Sequence, residues 1–253
     1  VGMFGQPGSL GPGIVDYRVT DATTTPPVYA DEFCEALLRL PETFWICDPD
    51  PPAGPRPARR DAGLPDTGFV FCSLNNAYKF EPRSFGLWMR LLRDVPGAVL
   101  WLLDGPPGSR ERLQTAVSAH GIERSRLVFA PRVDRPAHFA RLPLAALFLD
   151  TFTYNAHTTG CDTLVAGVPM LTCPGTTMAS RIGASLVRAA GLPELVAADE
   201  QAYVDLALAL ARERRPCVLV VQVEPAGDRP AALGLIAALR RECPDVPVVA
   251  ASD

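Results

Sequence analysis

An α/β protein built on a parallel sheet is predicted by three features of residues 68–215. Short apolar runs recur at residues 69–74, 98–103, 127–130, 145–149 and 170–173. The runs are continuous rather than alternating, as strands covered on both faces are. The segments between them have helical period, which is the pattern of repeated βαβ crossovers.

Taken in order, residues 1–13 are rich in glycine and proline and read as a loop, followed by a strand at 14–20. A helix is predicted over 30–40, because Phe33, Leu37 and Leu40 share one helical face. Residues 47–67 hold six prolines and several charges without periodicity, a linker composition that sets a domain boundary there. Residues 1–46 then lie before that boundary. In the first crossover, Trp88, Leu91, Leu92 and Val95 recur at helical spacing and are expected in the core. A helix near 176–190 carries Met178, Ile182, Leu186 and Ala190 on one stripe and stops at Gly191 and Pro193. Another, at 200–214, aligns Tyr203, Leu206, Ala207 and Leu210. Residues 216–253 read as strand (217–223), helix (230–241) and strand (246–251), which resembles the middle of a bacterial receiver domain. Gln222 stands where a receiver has its phosphate-accepting aspartate, so phosphoryl signalling is disfavoured. This tail is read as a degenerate or truncated appendage, or as extra strands on the preceding sheet.

Composition removes several functional classes. A formal net charge of −4 and a pI near 5.5 give no overall field for nucleic acid or an anionic membrane surface, so neither is an expected partner. No apolar run reaches bilayer-spanning length. Seven cysteines are scattered without CxxC spacing, several of them inside apolar runs where a small buried thiol is the default, which favours a reducing, cytoplasmic compartment. Asp48 and Asp50 imitate a metal-binding DxD pair, but they sit among linker prolines and are read as chance; no metal or cofactor is expected. His120 is assigned to a helix end.

The segment from Asp150 to Cys173 sets a polar loop between two apolar strands. His157, Thr158, Thr159 and Gly160 open a helix whose first N–H groups have no internal partners and favour an anion such as phosphate. Two threonine hydroxyls and an imidazole lie in the same place. The plainer reading is a capping box of Thr159 with Asp162, and the local pattern alone leaves both open.

Six segments in order carry a resemblance: GQPGSLGPGIVDYRVTD (5–21), FCSLNNAYKFEP (71–82), VLWLL (99–103), RLVFAP (126–131), LDTFTYNAHTTGCDTLVAGVPMLTCPG (149–175) and ASRIGASL (179–186). Together they resemble the catalytic region of the O-GlcNAc transferases, including the SPINDLY-like proteins, over residues 5–210. The resemblance implies a GT-B fold with a Rossmann-like nucleotide-sugar domain, and transfer of N-acetylglucosamine from UDP-GlcNAc to protein serine or threonine hydroxyls. It implies an inverting, metal-independent reaction. His157, Thr158 and Thr159 would hold the diphosphate, and Asp162 the ribose hydroxyls. Lys79 would stabilise the departing UDP, as suits a fixed ammonium facing growing negative charge. Asn76 stands at a family glutamine position near the nucleotide. Arg135 and His138 fall where the family presents a lysine and a histidine to the nucleoside, and Arg141 lies one turn on. The resemblance implies that residues 1–46 are the remnant of the family's first GT-B domain, and that the part of that domain supplying the proposed catalytic base has no counterpart in these residues. A nucleotide-sugar-binding half that transfers nothing is therefore the alternative expectation.

Overall fold

The computed structural model describes residues 1–2, 5–48, 50–52, 54–213, 219–223 and 248–252. Its centre is a five-stranded, all-parallel sheet of β3 (Val70–Ser73), β4 (Val99–Leu103), β5 (Leu127–Ala130), β6 (Leu147–Leu149) and β7 (Met170–Leu171), in the order β5-β4-β3-β6-β7. Successive strand residues enter opposite cores: Val70 and Cys72 face one apolar cluster while Phe71 faces the other, and Trp101 opposes its neighbours Leu100 and Leu102 in the same way. This two-sided burial is why the strands read as unbroken apolar runs.

Helices α1 (Pro82–Asp94), α2 (Ser109–Ala119) and α6 (Glu200–Glu213) contribute to one cluster, through Trp88, Val117 and Tyr203 among others. The indole of Trp88 donates to the Tyr203 hydroxyl at 3.3 Å, satisfying a polar atom inside that core. Helices α3 (Arg135–Arg141), α4 (Thr158–Val165) and α5 (Ile182–Ala189) meet the other cluster through Phe139, Cys161 and Ile182. Chain order reverses between β3 and β6. In open parallel sheets, the crevice beyond the strand carboxyl ends at such a switch point is where ligands bind.

The amino-terminal segment corrects one expectation. Residues 30–40 are not a helix: a 3-10 turn at Pro27–Glu32 leads into strand β2 (Ala36–Leu40), which pairs in parallel with β1 (Tyr17–Asp21). Phe33 alone of the three residues expected on one face packs against the core, while Leu40 is exposed, so pairing with β1 overrides a short helical period. The predicted helix at 176–190 divides into a 3-10 turn, Met178–Ser180, capped by Thr177, and α5. His120 caps the end of α2, as expected.

Phe44 and Leu64 are buried in the same cluster as Trp101, so the amino-terminal segment and the proline-rich stretch both lie against the sheet domain. Arg181 fastens that contact: its guanidinium donates to the carbonyls of Thr24, Gly175 and Thr176 and stacks over Tyr29. The tail strands β8 (Leu219–Val223) and β9 (Val248–Ser252) pair in parallel as a sheet of their own rather than joining the larger one. The helix expected between them lies outside the described residues.

A second correction concerns the cysteines. Cys47 and Cys161 form a disulfide with Cα atoms 6.4 Å apart, although the sequence spacing suggests only thiols. Folding brings together residues 114 positions apart, which no local spacing rule registers. Cys34, Cys72 and Cys173 are free, and Cys217 and Cys243 lie outside the described residues. No helix among the described residues is long and apolar enough to cross a membrane.

Candidate functional site

The loops leaving β3 and β6 at the switch point enclose a cavity of about 490 Å³. Asn76, Tyr78 and Lys79 reach it from the 3-10 turn after β3, and Tyr154, His157, Thr158 and Thr159 from the loop and helix after β6. Arg18 and Trp45 line the opposite wall from the amino-terminal segment. The sequence therefore folds two distant polar motifs onto one opening because β3 and β6 are adjacent in the sheet.

His157 is the N-cap residue of α4. The cap is not Thr159 and the helix has no side-chain cap bond, so the capping-box reading of Thr159 with Asp162 fails. Helix geometry leaves the first N–H groups of α4 without intrahelical acceptors and directs their partial positive charge at the cavity. Gly160 lets this helix sit close to β7, since a Cβ there would lie 2.9 Å from the Met170 sulfur.

His157 is buried, and desolvation together with the nearby Lys79 ammonium pushes its pKa down to about 4. Its Nε2 lies 3.2 Å from the Ala179 carbonyl, which can only accept, so the ring proton is on Nε2 and Nδ1 is left as an acceptor. The imidazole is thus a neutral, oriented group whose one N–H is already committed; anion-donating capacity at this corner comes from the α4 amides and the threonine hydroxyls. The ring stacks on Tyr154 with centroids 4.6 Å apart.

Lys79 donates to the Asn155 carbonyl at 2.7 Å, and its ammonium lies 4.5 Å from the centre of the Tyr154 ring. Burial lowers its pKa to about 8, against an opposing pull from Asp150. A fixed, partly desolvated cation therefore lines the same cavity as the amino end of α4.

A smaller adjoining cavity, about 190 Å³, shares Asn76 and Thr159 and adds Arg132, His138 and Arg141. His138 Nδ1 accepts from Arg141 at 3.3 Å, which leaves Nε2–H as a donor. Burial, then Arg141 and Arg135, lower its pKa to about 4, so it too is neutral. The Asn76 side-chain oxygen accepts from Arg132, a partner that sequence reading missed. Arg135 and Asp162 line neither cavity. Arg135 pairs with Asp48 at 3.4 Å, and the Asp162 pKa, raised mainly by burial, responds to both of those charges. Among the described residues no cluster of three or more His, Cys, Asp or Glu side chains is arranged to hold a metal ion.

Sequence reading also passed over Arg18, Trp45, Tyr78 and Tyr154. Arg18 is 1 % exposed, and its Nε and Nη1 have no hydrogen-bond partner. A charged residue inside the β1 run was the available signal, since such a residue is rarely buried without a reason.

With this geometry in place, comparison with known proteins gives a consistent answer. Residues 56–220 match glycosyl transferase family 41. The probable UDP-N-acetylglucosamine--peptide N-acetylglucosaminyltransferase SEC of Arabidopsis thaliana is 38 % identical over 200 residues, covering 76 % of this chain and 20 % of the plant protein. The probable SPINDLY transferase of Petunia hybrida is 36 % identical over 218 residues, covering 84 % of this chain and 23 % of its own length. Among solved structures, a mutant O-GlcNAc transferase of Thermobaculum terrenum superposes with a TM-score of 0.71 at 31 % identity, over 90 % of this chain and 40 % of that one. The chain spans about a fifth of the length of these plant relatives. Its five-stranded parallel sheet is that of a GT-B glycosyltransferase, and the chain belongs to glycosyl transferase family 41, in the catalytic region of the O-GlcNAc transferase and SPINDLY type.

Proposed function

We propose that this chain is the nucleotide-sugar-binding part of an enzyme that transfers N-acetylglucosamine from UDP-GlcNAc to serine or threonine hydroxyls of proteins, with inversion and without a metal. The observation that carries this reading is the convergence of the Lys79 ammonium and the unpaired amides of α4 on one cavity at the switch point. In this reading the diphosphate lies against Thr158 and Thr159, and the nucleoside extends toward Asn76 and His138. The acceptor hydroxyl gives its proton to a general base supplied by the rest of the enzyme as its oxygen bonds to the sugar's anomeric carbon; the bond to UDP breaks, and the electron pair leaves on the β-phosphate oxygen. That developing charge meets Lys79 and the helix terminus, which are already oriented. Arg135, paired with Asp48, and Asp162 would reach the nucleoside from outside the two cavities. The chain divides in this reading into residues 1–46 of a first domain, a linker at 47–67, the sugar-nucleotide domain at 68–215 and the tail.

A second reading is a half that binds the nucleotide sugar and transfers nothing. It is favoured by the small amino-terminal sheet: β1 and β2 leave Tyr17, Leu38 and Leu40 exposed, and of their residues only Arg18 lines the cavity. Calorimetric titration with UDP, followed by a sugar-transfer assay on the same sample, separates the two. Binding with turnover supports the first, binding without turnover the second, and absence of UDP binding removes both.

A further inference from the structure

The group beneath the proposed diphosphate site is a carboxylate that no residue assignment so far has used. Asp150, at the carboxyl end of β6, is fully buried. Its Oδ1 accepts from the backbone N–H of Thr151 at 2.9 Å and of Ala156 at 2.6 Å, so one oxygen ties together both ends of the 151–156 loop. Its Oδ2 accepts from the Thr172 hydroxyl at 2.7 Å. Gly183 makes room: a Cβ there would stand 2.2 Å from Oδ2. The loop closed in this way carries Tyr154, leads into His157, and presents the Asn155 carbonyl to which Lys79 donates.

We infer that Asp150 is a positioning residue for the donor site: it closes the 151–156 loop and, as the buried counter-charge, holds the Lys79 ammonium at the cavity. This rests on the UDP-binding reading above. Burying a carboxylate is costly, and burial pushes Asp150 up to about 7 despite its three donors and Lys79. Above about pH 7 the carboxylate is charged, and Lys79, bonded to the Asn155 carbonyl of the loop that Asp150 closes, is the cation that feels this charge. The other ionisable groups facing the pair do not titrate between pH 7 and 9. His157 is held near 4, while burial raises Tyr154, Cys173 and Tyr203 above their ordinary values. Arg18, across the cavity, stays cationic throughout.

The test is Asp150→Asn, in which the amide oxygen can still accept from both loop N–H groups and the amide nitrogen can donate to the Thr172 hydroxyl. Charge is lost and the hydrogen-bond pattern is kept. UDP affinity is measured by calorimetry between pH 7 and 9 for the wild type, D150N, Lys79→Ala and the double variant. In the wild type, affinity falls as pH rises through about 8, where Lys79 loses its proton. In D150N that fall moves to lower pH, and affinity at pH 8 drops roughly tenfold. D150N has no further effect once Lys79 is absent, a non-additivity that a purely structural role would not produce. Should D150N not fold, Thr172→Val removes one donor to the same carboxylate and shifts the profile in the same direction. A wild type that binds UDP beside a D150N with unchanged affinity and profile overturns the inference alone; a wild type that does not bind UDP overturns the reading and the inference with it.

Discussion

At the scale of single residues, the site is a set of charges placed where solvent is scarce. In the proposed transfer Lys79 would act most as charge develops on the leaving diphosphate, so Lys79→Ala in the intact enzyme should lower kcat more than it weakens UDP binding. Steady-state kinetics beside calorimetry checks this, and equal losses would contradict the assignment. His157→Ala should weaken UDP binding through a misplaced α4 terminus rather than lost charge, because the ring is neutral and its N–H is spent on Ala179. Asp150 has an opposite signature in stability. Its folded pKa, about 7, lies above its ordinary value of 3.8, so the folded state holds the proton more tightly. The associated stability is full below pH 3.8 and is lost as pH rises through about 7. Urea unfolding of D150N against the wild type should therefore favour the variant increasingly between pH 4 and 7, and a pH-independent difference would refute it. Lys79 and the threonines were legible as residues of a motif. Arg18 and Tyr154 were not, since their relevance arises from which wall of the cavity they occupy.

At the scale of elements, helix α5 must approach the end of β6 without a side chain. Gly183→Ala would place a Cβ 2.2 Å from the Asp150 carboxylate and 2.7 Å from the Thr172 hydroxyl, both fixed by their own hydrogen bonds. The expected cost is about 1–3 kcal/mol of overpacking, read as a lower urea midpoint with an unchanged slope. The strands were legible because two-sided burial writes itself as continuous apolar runs. The 30–40 segment was misread for a complementary reason: with only Phe33 packed against the core, its weak helical period yields to hydrogen bonding with β1. The start of α4 was legible as a helix start, but its cap fell at His157 rather than at Thr159. Propensity ranks cap residues, whereas the tether of the preceding loop to Asp150 decides where the helix begins.

At the scale of the whole molecule, the amino-terminal segment is held on the sheet domain by Arg181, by Asp21 accepting from Ser185, and by the Cys47–Cys161 disulfide. In the chain-entropy account, closing a loop of this length stabilises by about 4–5 kcal/mol. Cys47→Ser should lower the thermal midpoint under non-reducing conditions and leave it unchanged under strong reductant. Alkylation before reduction should label Cys34 but neither partner of the bond, and labelling of Cys47 would argue against it. By itself, the sequence determined the fold class and the two polar motifs, because burial periodicity and local residue types are written along the chain, and it carried the family through six segments in matching order. Only the tertiary structure decided that those motifs share one cavity, that Arg135 and Asp162 stand outside it beside Asp48, and that a buried Asp150 lies under the loop. Each of these depends on strand order and on contacts between distant residues, and neither spacing nor composition encodes them.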